Sequence, residues 1–94
     1  MIEPIVRLFQ EIERKRRELI HIDSMEKAET AAEGTAGDIR EDLDDADLMI
    51  QEKRFAELYA IAAEIARKSV RLAAIARQGM IQTEGGENGT IKKD

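Results

Sequence analysis

Apolar residues recur at helical spacing through the first third of the chain: Ile5, Leu8, Phe9, Ile12, Leu19, Ile20 and Ile22. Steps of three and four residues place such side chains on one face of an α-helix. Pro4 stands in the first turn, where a helix tolerates proline. We therefore predict a first helix over residues 3–33. Asp23 or Ser24 is an alternative N-cap for a separate helix, although the good helix formers that follow favour continuity or a slight bend.

Two glycines three residues apart, Gly34 and Gly37, are the clearest break signal in the chain. Glycine weakens a helix interior and is common just beyond a helix end, so this pair predicts a turn. A second helix is predicted over residues 38–51. Its apolar residues recur in steps of four, three and four: Ile39, Leu43, Ala46 and Ile50.

Residues 53–78 carry two adjacent apolar rows and predict the third helix. The first row alternates steps of four and three, as a coiled-coil seam does: Leu58, Ala62, Ile65, Ser69, Leu72 and Ala76. The second row lies beside it: Tyr59, Ala63, Ala66, Val70 and Ala73. Gly79 is expected to end the helix, and residues 84–94 to form a flexible tail. The pattern leaves open whether residues 52–54 form a bend or continue the helix.

Together these elements predict one all-α domain over residues 1–83, an antiparallel helical hairpin or three-helix bundle with a long alanine-rich last helix. A chain of 94 residues suits a single small core, and its three aromatic residues provide little large apolar area for that core. The two rows of the third helix make a face wider than one neighbouring helix covers. We therefore expect a homo-oligomer, either a dimer or a tetramer.

Composition excludes several kinds of chemistry. The absence of cysteine excludes disulfides, thiolate metal sites and cysteine nucleophiles, and the single histidine, His21, argues against a zinc site or a His-based triad. No run of about 18 apolar residues is present to span a membrane. The N-terminal residues lack the basic-then-apolar order of a signal peptide, so the chain is expected to be cytoplasmic.

The net charge of −5 is unevenly distributed. Residues 21–52 carry two Lys or Arg against eleven Asp or Glu, a net of −9, whereas residues 53–83 carry six against two, a net of +4. A nucleic-acid surface needs Lys and Arg clustered on one face, so this pattern argues against DNA or RNA as a partner. It is typical of a cation site or of charge pairing within the molecule.

Four carboxylates of the acidic segment are candidate metal ligands: Glu26, Glu29, Asp42 and Asp45. The two members of each pair lie three residues apart and share a helix face. If the Gly34–Gly37 turn folds two helices into a hairpin, the pairs face each other and provide the hard oxygen ligands that Mg²⁺ or Mn²⁺ prefers. The alternative is a solvated acidic face balanced by Arg67, Lys68 and Arg71.

The stretches MEKAE at residues 25–29 and DLDD at residues 42–45, twelve residues apart, resemble the MazG-like all-α NTP pyrophosphatases. Glu26 and Glu29 match two of the acids in that family's first motif, and Asp45 matches its closing aspartate. The resemblance implies Mg²⁺-dependent hydrolysis of a nucleoside triphosphate to a monophosphate and pyrophosphate, by an intact or a degenerate member of the family. It also implies a dimer or a tetramer.

The third helix carries a tyrosine and a basic group: Tyr59, Arg67, Lys68 and Arg71. Converging Arg and Lys side chains bind phosphate through charge-assisted hydrogen bonds, and an aromatic ring stacks on a base. These four residues are therefore candidates for binding a phosphorylated, nucleotide-like ligand. Alternatively, the cations pair with Glu64 or with the acidic segment, and the tyrosine serves an interface or the core.

Two functions of different classes follow from these patterns. The first is a non-enzymatic, self-associating helical binding module: an adaptor, inhibitor or ligand-sequestering protein that recognises a protein or a phosphorylated ligand between protomers, without a cofactor. The second is the MazG-like pyrophosphatase, in which the four carboxylates hold Mg²⁺ or Mn²⁺ and Lys68 or Arg71 contacts phosphate. Carboxylates that meet across a hairpin would favour the enzyme, and carboxylates that point to solvent or pair with arginine would favour the module.

Overall fold

The computed structural model describes the backbone of residues 2–93 and the side chains of residues 3–83. Three helices make up most of the chain: α1 (Ile2–Arg17), α2 (Met25–Gln51) and α3 (Phe55–Lys93). No strand occurs along the described backbone. The all-α prediction is therefore confirmed, and α3 is the central helix, because it packs against both α1 and α2.

The first helix ends at Arg17, so the predicted continuous helix over residues 3–33 is wrong. Residues 18–24 form a non-helical linker, and this linker buries Leu19 and Ile22 to 3% and 2% exposure. Burying a large apolar side chain contributes about 1.5–3 kcal/mol. That contribution exceeds the differences in helix propensity among ordinary residues, so packing decides where the helix breaks.

The second helix begins after Ser24, whose hydroxyl accepts a hydrogen bond from the Lys27 N–H at 3.2 Å. It then runs straight through Gly34 and Gly37, so the predicted turn and the separate helix over residues 38–51 are wrong. At both glycines the space that a Cβ would occupy is open. An interior glycine costs only about 0.5–1 kcal/mol relative to alanine, and the packing of the rest of α2 on α3 outweighs that cost.

The second break falls at residues 52–54, where α2 and α3 join in a tight turn. Lys53 adopts the left-handed backbone conformation, with φ at 58°. The Lys53 N–H bonds the Ile50 carbonyl at 3.1 Å, and the Arg54 N–H bonds the Met49 carbonyl at 2.9 Å. These two bonds form a Schellman motif, which ends a helix by satisfying its last carbonyl groups. Residues 52–54 therefore form a bend and do not continue the helix, which were the two alternatives that the sequence left open.

The antiparallel helices α2 and α3 pack along a seam with coiled-coil spacing. On α2, buried and half-buried residues recur in steps of four and three: Ala28, Ala32, Thr35, Ile39, Asp42, Ala46 and Met49. On α3, the corresponding residues are Leu58, Ile61, Ile65, Lys68, Leu72, Ile75, Gly79 and Gln82. A Cβ added at Gly79 would lie 3.5 Å from the Ala28 Cβ, so small residues bring the helices close together at this end.

The predicted apolar stripes contribute only alternate residues to this seam. Leu58, Ile65 and Leu72 lie in it, whereas the other members of the same row are exposed: Ala62, Ser69 and Ala76. On α2, Leu43 and Ile50 are 50% and 52% exposed. The seam is therefore rotated by about one residue from each predicted stripe, and half of each stripe stays on the surface.

The core lies at the end of the hairpin that α1 and the linker cover. Its buried members form one cluster: Leu19, Ile22, Ala28, Ala74 and Ile75. Gln78 links the layers, because its amide donates to the Ile22 carbonyl at 2.9 Å and its side-chain oxygen accepts from Arg16 at 3.3 Å. The Cα radius of gyration is 16.8 Å, compared with about 12 Å for a compact chain of this length, so the molecule is elongated.

The third helix continues past the end predicted at residue 78 and extends to Lys93. Gly79 does not cap it, because this glycine is buried inside the helix against Ala28. The flexible tail predicted over residues 84–94 lies outside the residues whose side chains the structure describes.

Candidate interaction surface

The four predicted metal ligands lie on one continuous helix: Glu26, Glu29, Asp42 and Asp45. Because each residue advances a helix by about 1.5 Å, Glu26 and Asp42 are separated by about 24 Å along α2. The expectation that the two pairs face each other across a hairpin is therefore wrong, and one chain cannot bring all four onto a single cation. Among the described residues, no group of three or more His, Cys, Asp or Glu is arranged to hold a metal ion.

Asp42 is engaged inside the α2–α3 seam. The Lys68 ammonium group donates to the Asp42 carboxylate at 2.8 Å, and each side chain is 19% exposed. This hydrogen bond outweighs the opposing effect of burial and, with the nearby Asp38 carboxylate, raises the pKa of Lys68 above its ordinary value. An ion pair at matching seam positions favours one register of the hairpin, because a shifted register would separate the two charges.

The other predicted phosphate ligands are spread along α3. The Arg67 Nε donates to the Glu64 carboxylate at 2.6 Å on the same helix. Arg71 follows one turn later and is half-buried, and Tyr59 is highly exposed about 12 Å before Arg67 along the helix axis. Since Lys68 is also paired, two of the three cations already have carboxylate partners. Phosphate binding by this group stays a prediction.

One side of the hairpin is apolar along the length of α2. At one end of this side lies a groove of about 800 Å³. Met25 and Ala32 of α2 line the groove together with Ala76 and Met80 of α3, so these four residues share the same side. Helical spacing continues the same side through Ala36, Ile39, Leu43 and Ile50 on α2 and through Phe55, Leu58, Ala62, Ile65 and Leu72 on α3. We call the side formed by these residues the apolar face.

The covering of the apolar face differs between the two ends of the hairpin. The end opposite the 52–54 turn, which α1 and the linker cover, is the closed end. There Phe9 and Ile12 of α1 line a cavity together with residues of α3. The other end, residues 39–68, is the arm. There Leu43 and Ile50 stay half exposed, and Phe55 is 63% exposed.

The opposite side of the arm is charged. Leu48 follows Leu43 by five residues, which places it about 140° further around the helix. Its neighbours one and two turns earlier are carboxylates: Glu41, Asp44 and Asp45. Leu48 is therefore an isolated apolar residue in an acidic environment, whereas Leu43 belongs to a continuous apolar row.

Comparison with known proteins assigns no role to the apolar face. No protein family, curated protein or solved structure matches the chain. Within the part of the chain that the structure describes, no helix combines the length and the apolar character needed to cross a membrane.

Sequence reasoning missed Asp42 and Lys68 as packing residues. Two charges at seam positions made the neighbouring stripe through Leu43 the better apolar pattern. The seven-residue spacing is no guide here, because it links Leu43 to Ile50 as well as Asp42 to Met49. The available signal was the opposite charge of Asp42 and Lys68, which can pair across an antiparallel hairpin.

Proposed function

We propose that this protein is a non-enzymatic, self-associating helical binding module, in which the apolar faces of two copies pack against each other. The observation that carries this proposal is the row of half-exposed apolar side chains along the arm. In a chain with 37% charged residues, such a row concentrates apolar surface on a single side. Contiguous exposed apolar surface on a soluble domain marks an interaction site.

The size of the apolar face supports this proposal. From Met25 to Ile50, α2 rises about 38 Å, and two packed helices are about 20 Å wide, so this side of the hairpin, charged flanks included, has an outline of about 750 Å². This value is an upper bound for the apolar face. Each partner in a stable interface contributes roughly 800 Å². One side of the hairpin is therefore large enough to hold one half of a standard interface.

Symmetry favours a second copy as the occupant. A two-fold dimer places the same patch of both subunits in contact, so the patch must be complementary to itself. The face alternates small residues such as Ala36 and Ala62 with larger ones such as Leu43 and Ile50, which suits interdigitation between like helices. The acidic side around Leu48 would stay in solvent.

The test compares two leucines of α2 that occupy opposite sides. Leu43 on the apolar face and Leu48 on the acidic side are 50% and 46% exposed. We expect Leu43→Glu to weaken self-association by about tenfold or more, because it would bury an unpaired carboxylate, and Leu48→Glu to leave association unchanged. The readout is mass by light scattering after size exclusion, with circular dichroism as the control for folding. A monomeric parent chain, or equal effects of both substitutions, would contradict the proposal.

A further inference from the structure

The apolar face is recessed at the closed end and raised on the arm. At the closed end, the small residues Ala32 and Ala76 line the groove of about 800 Å³. On the arm, Leu43, Ile50 and Phe55 are 50%, 52% and 63% exposed. The two halves of the face therefore differ in shape, although both are apolar.

The sizes of the side chains along each helix are complementary about the centre of the face. On α2 the row is centred between residues 37 and 38, and its equidistant pairs join a large residue to a small or flexible one: Ile39 with Ala36, Leu43 with Ala32, and Ile50 with Met25. On α3 the row including Ser69 is centred near residue 67, and its pairs are equidistant to within one residue: Ile65 with Ser69, Leu72 with Ala62, Leu58 with Ala76, and Phe55 with Met80. The face is therefore complementary in size to a copy of itself turned end for end.

The two centres lie at nearly the same level of the hairpin. Ala28 faces Gly79 across the seam, because a Cβ added at Gly79 would lie 3.5 Å from the Ala28 Cβ. Counted from this contact, the centre of the α2 row is about 9.5 residues away and that of the α3 row about 12, so the levels differ by about 4 Å. One two-fold axis across the hairpin can therefore serve both rows, and it lays each helix over its own copy in the opposite direction.

The other two-fold arrangement, with its axis along the hairpin, would stack like ends on each other. Because Ala28 and Gly79 are level, Ala32 would then lie over Ala76 of the second copy, and Leu43 over Ile65. The two grooves would face each other and leave unfilled space, while large side chains would meet on the arms. Interfaces pack as densely as protein interiors, so the complementary sizes favour the end-for-end arrangement.

We propose that two copies pack their apolar faces end for end, so that Ile50 and Phe55 of each arm fill the groove of the other copy. This inference rests on the proposed self-association and specifies its direction. Met25 and Met80 line the groove with flexible side chains that adapt to the incoming residues. Each arm then receives from the closed end of the second copy the covering that its own chain does not supply.

Single-cysteine variants test this direction, because the chain has no cysteine of its own. Phe55→Cys is mixed with Met80→Cys or, as the matched control, with Ile50→Cys, so that a mixed disulfide can form only between chains. The end-for-end arrangement brings residue 55 near residue 80 of the second copy, whereas stacking of like ends brings it near residue 50. We expect the first mixed disulfide to form about tenfold faster, since docking raises the local thiol concentration. Intact mass identifies it, because the two variants differ in mass.

Light scattering on the parent chain and circular dichroism on the reduced variants separate the ways in which the proposal can fail. All three substituted residues are at least half exposed, so the variants should fold. A monomeric parent chain would overturn both self-association and its direction. A dimer in which Phe55→Cys cross-links to Ile50→Cys as fast as to Met80→Cys, or faster, would overturn the direction and leave self-association intact. A dimer with selective cross-linking to Met80→Cys supports the proposal.

Discussion

The two ends of the α2–α3 hairpin are built from the same pair of helices, yet they bury their side chains to different depths. At the closed end, Ile22 and Ile75 are almost completely removed from solvent. On the arm, the seam residues Ile61 and Ile65 are only half-buried. The two ends differ because α1 and the linker add a third layer at the closed end only. Two helices alone cover only one stripe of each other, so a further element is needed to bury the remaining apolar surface.

This contrast assigns stability and recognition to different ends of the molecule. The closed end combines the buried apolar cluster with the Gln78 hydrogen bonds to α1 and the linker. The arm has a seam in which Ala46 and Met49 are buried and Ile61 and Ile65 are half-buried. It also has one internal ion pair and an uncovered apolar face. We therefore expect substitutions at the closed end to affect folding, and substitutions on the apolar face of the arm to affect association.

The largest expected effect comes from truncating the same residue type at each end. Ile75→Ala removes a fully buried side chain and should lower the free energy of unfolding by about 3–4 kcal/mol, within the range for isoleucine in a core. Ile61→Ala, at a half-buried position of the arm, should cost about half as much. Urea denaturation followed by circular dichroism measures both values. Equal losses would show that the arm is covered as completely as the closed end.

The ion pair of the arm should show coupling between its two members. Asp42→Leu leaves the Lys68 ammonium group half-buried without its partner, so this variant should be less stable than the parent chain. The double variant Asp42→Leu with Lys68→Leu should recover stability, because it replaces both charges with apolar groups. A double-mutant cycle of urea denaturation midpoints tests this. Additive losses would mean that the two residues act independently.

The same pair predicts a pH dependence with a definite sign. The pKa of Lys68 is raised in the folded state, because the folded state favours the charged ammonium group. Its contribution is therefore fully present below the ordinary lysine pKa of 10.5 and is lost as the pH rises through the folded value. The stability difference between the parent chain and Lys68→Met should stay constant up to the ordinary lysine pKa of 10.5 and shrink as the pH rises above it. A difference that grows with pH would contradict the assignment.

A smaller effect is expected between the two ends, where α2 passes through its glycines. Gly34→Ala and Gly37→Ala should each raise the free energy of unfolding by about 0.5–1 kcal/mol, because alanine favours a helix and the Cβ enters open space. Thermal unfolding of the single and double variants measures the gain. If both substitutions destabilised the protein, the result would support the turn that the sequence pattern predicted at these glycines.

The smallest expected effect concerns the four carboxylates that were predicted to bind a metal ion. Since Glu26 and Asp42 are about 24 Å apart along one helix, Mg²⁺ or Mn²⁺ should change the melting temperature by less than about 1 °C. A rise of several degrees that Asp45→Asn abolishes would contradict this expectation. Such a rise would mean that carboxylates from two chains assemble the metal site that one chain cannot form.

Some of the fold could be predicted because it depends on neighbours in the sequence. The helical spacing of Leu58, Ile65 and Leu72 correctly identified both a helix and part of its packing face. The same periodicity could not distinguish the stripe through Leu43 from the seam through Asp42 and Met49, because the two lie about one residue apart around α2. The expectation that the two carboxylate pairs face each other was wrong for a related reason, since it depended on a turn at Gly34.

The sequence by itself determined that the chain is helical and that it carries more apolar surface than its own helices cover. These properties follow from spacing within a few turns. Only the tertiary structure decided where the helices break and which stripe became the seam. The linker breaks the helix because Leu19 and Ile22 reach Ile75, and the seam follows the charge pair between Asp42 and Lys68. Such contacts join residues far apart in the chain, and they outweigh local preferences of about 1 kcal/mol or less.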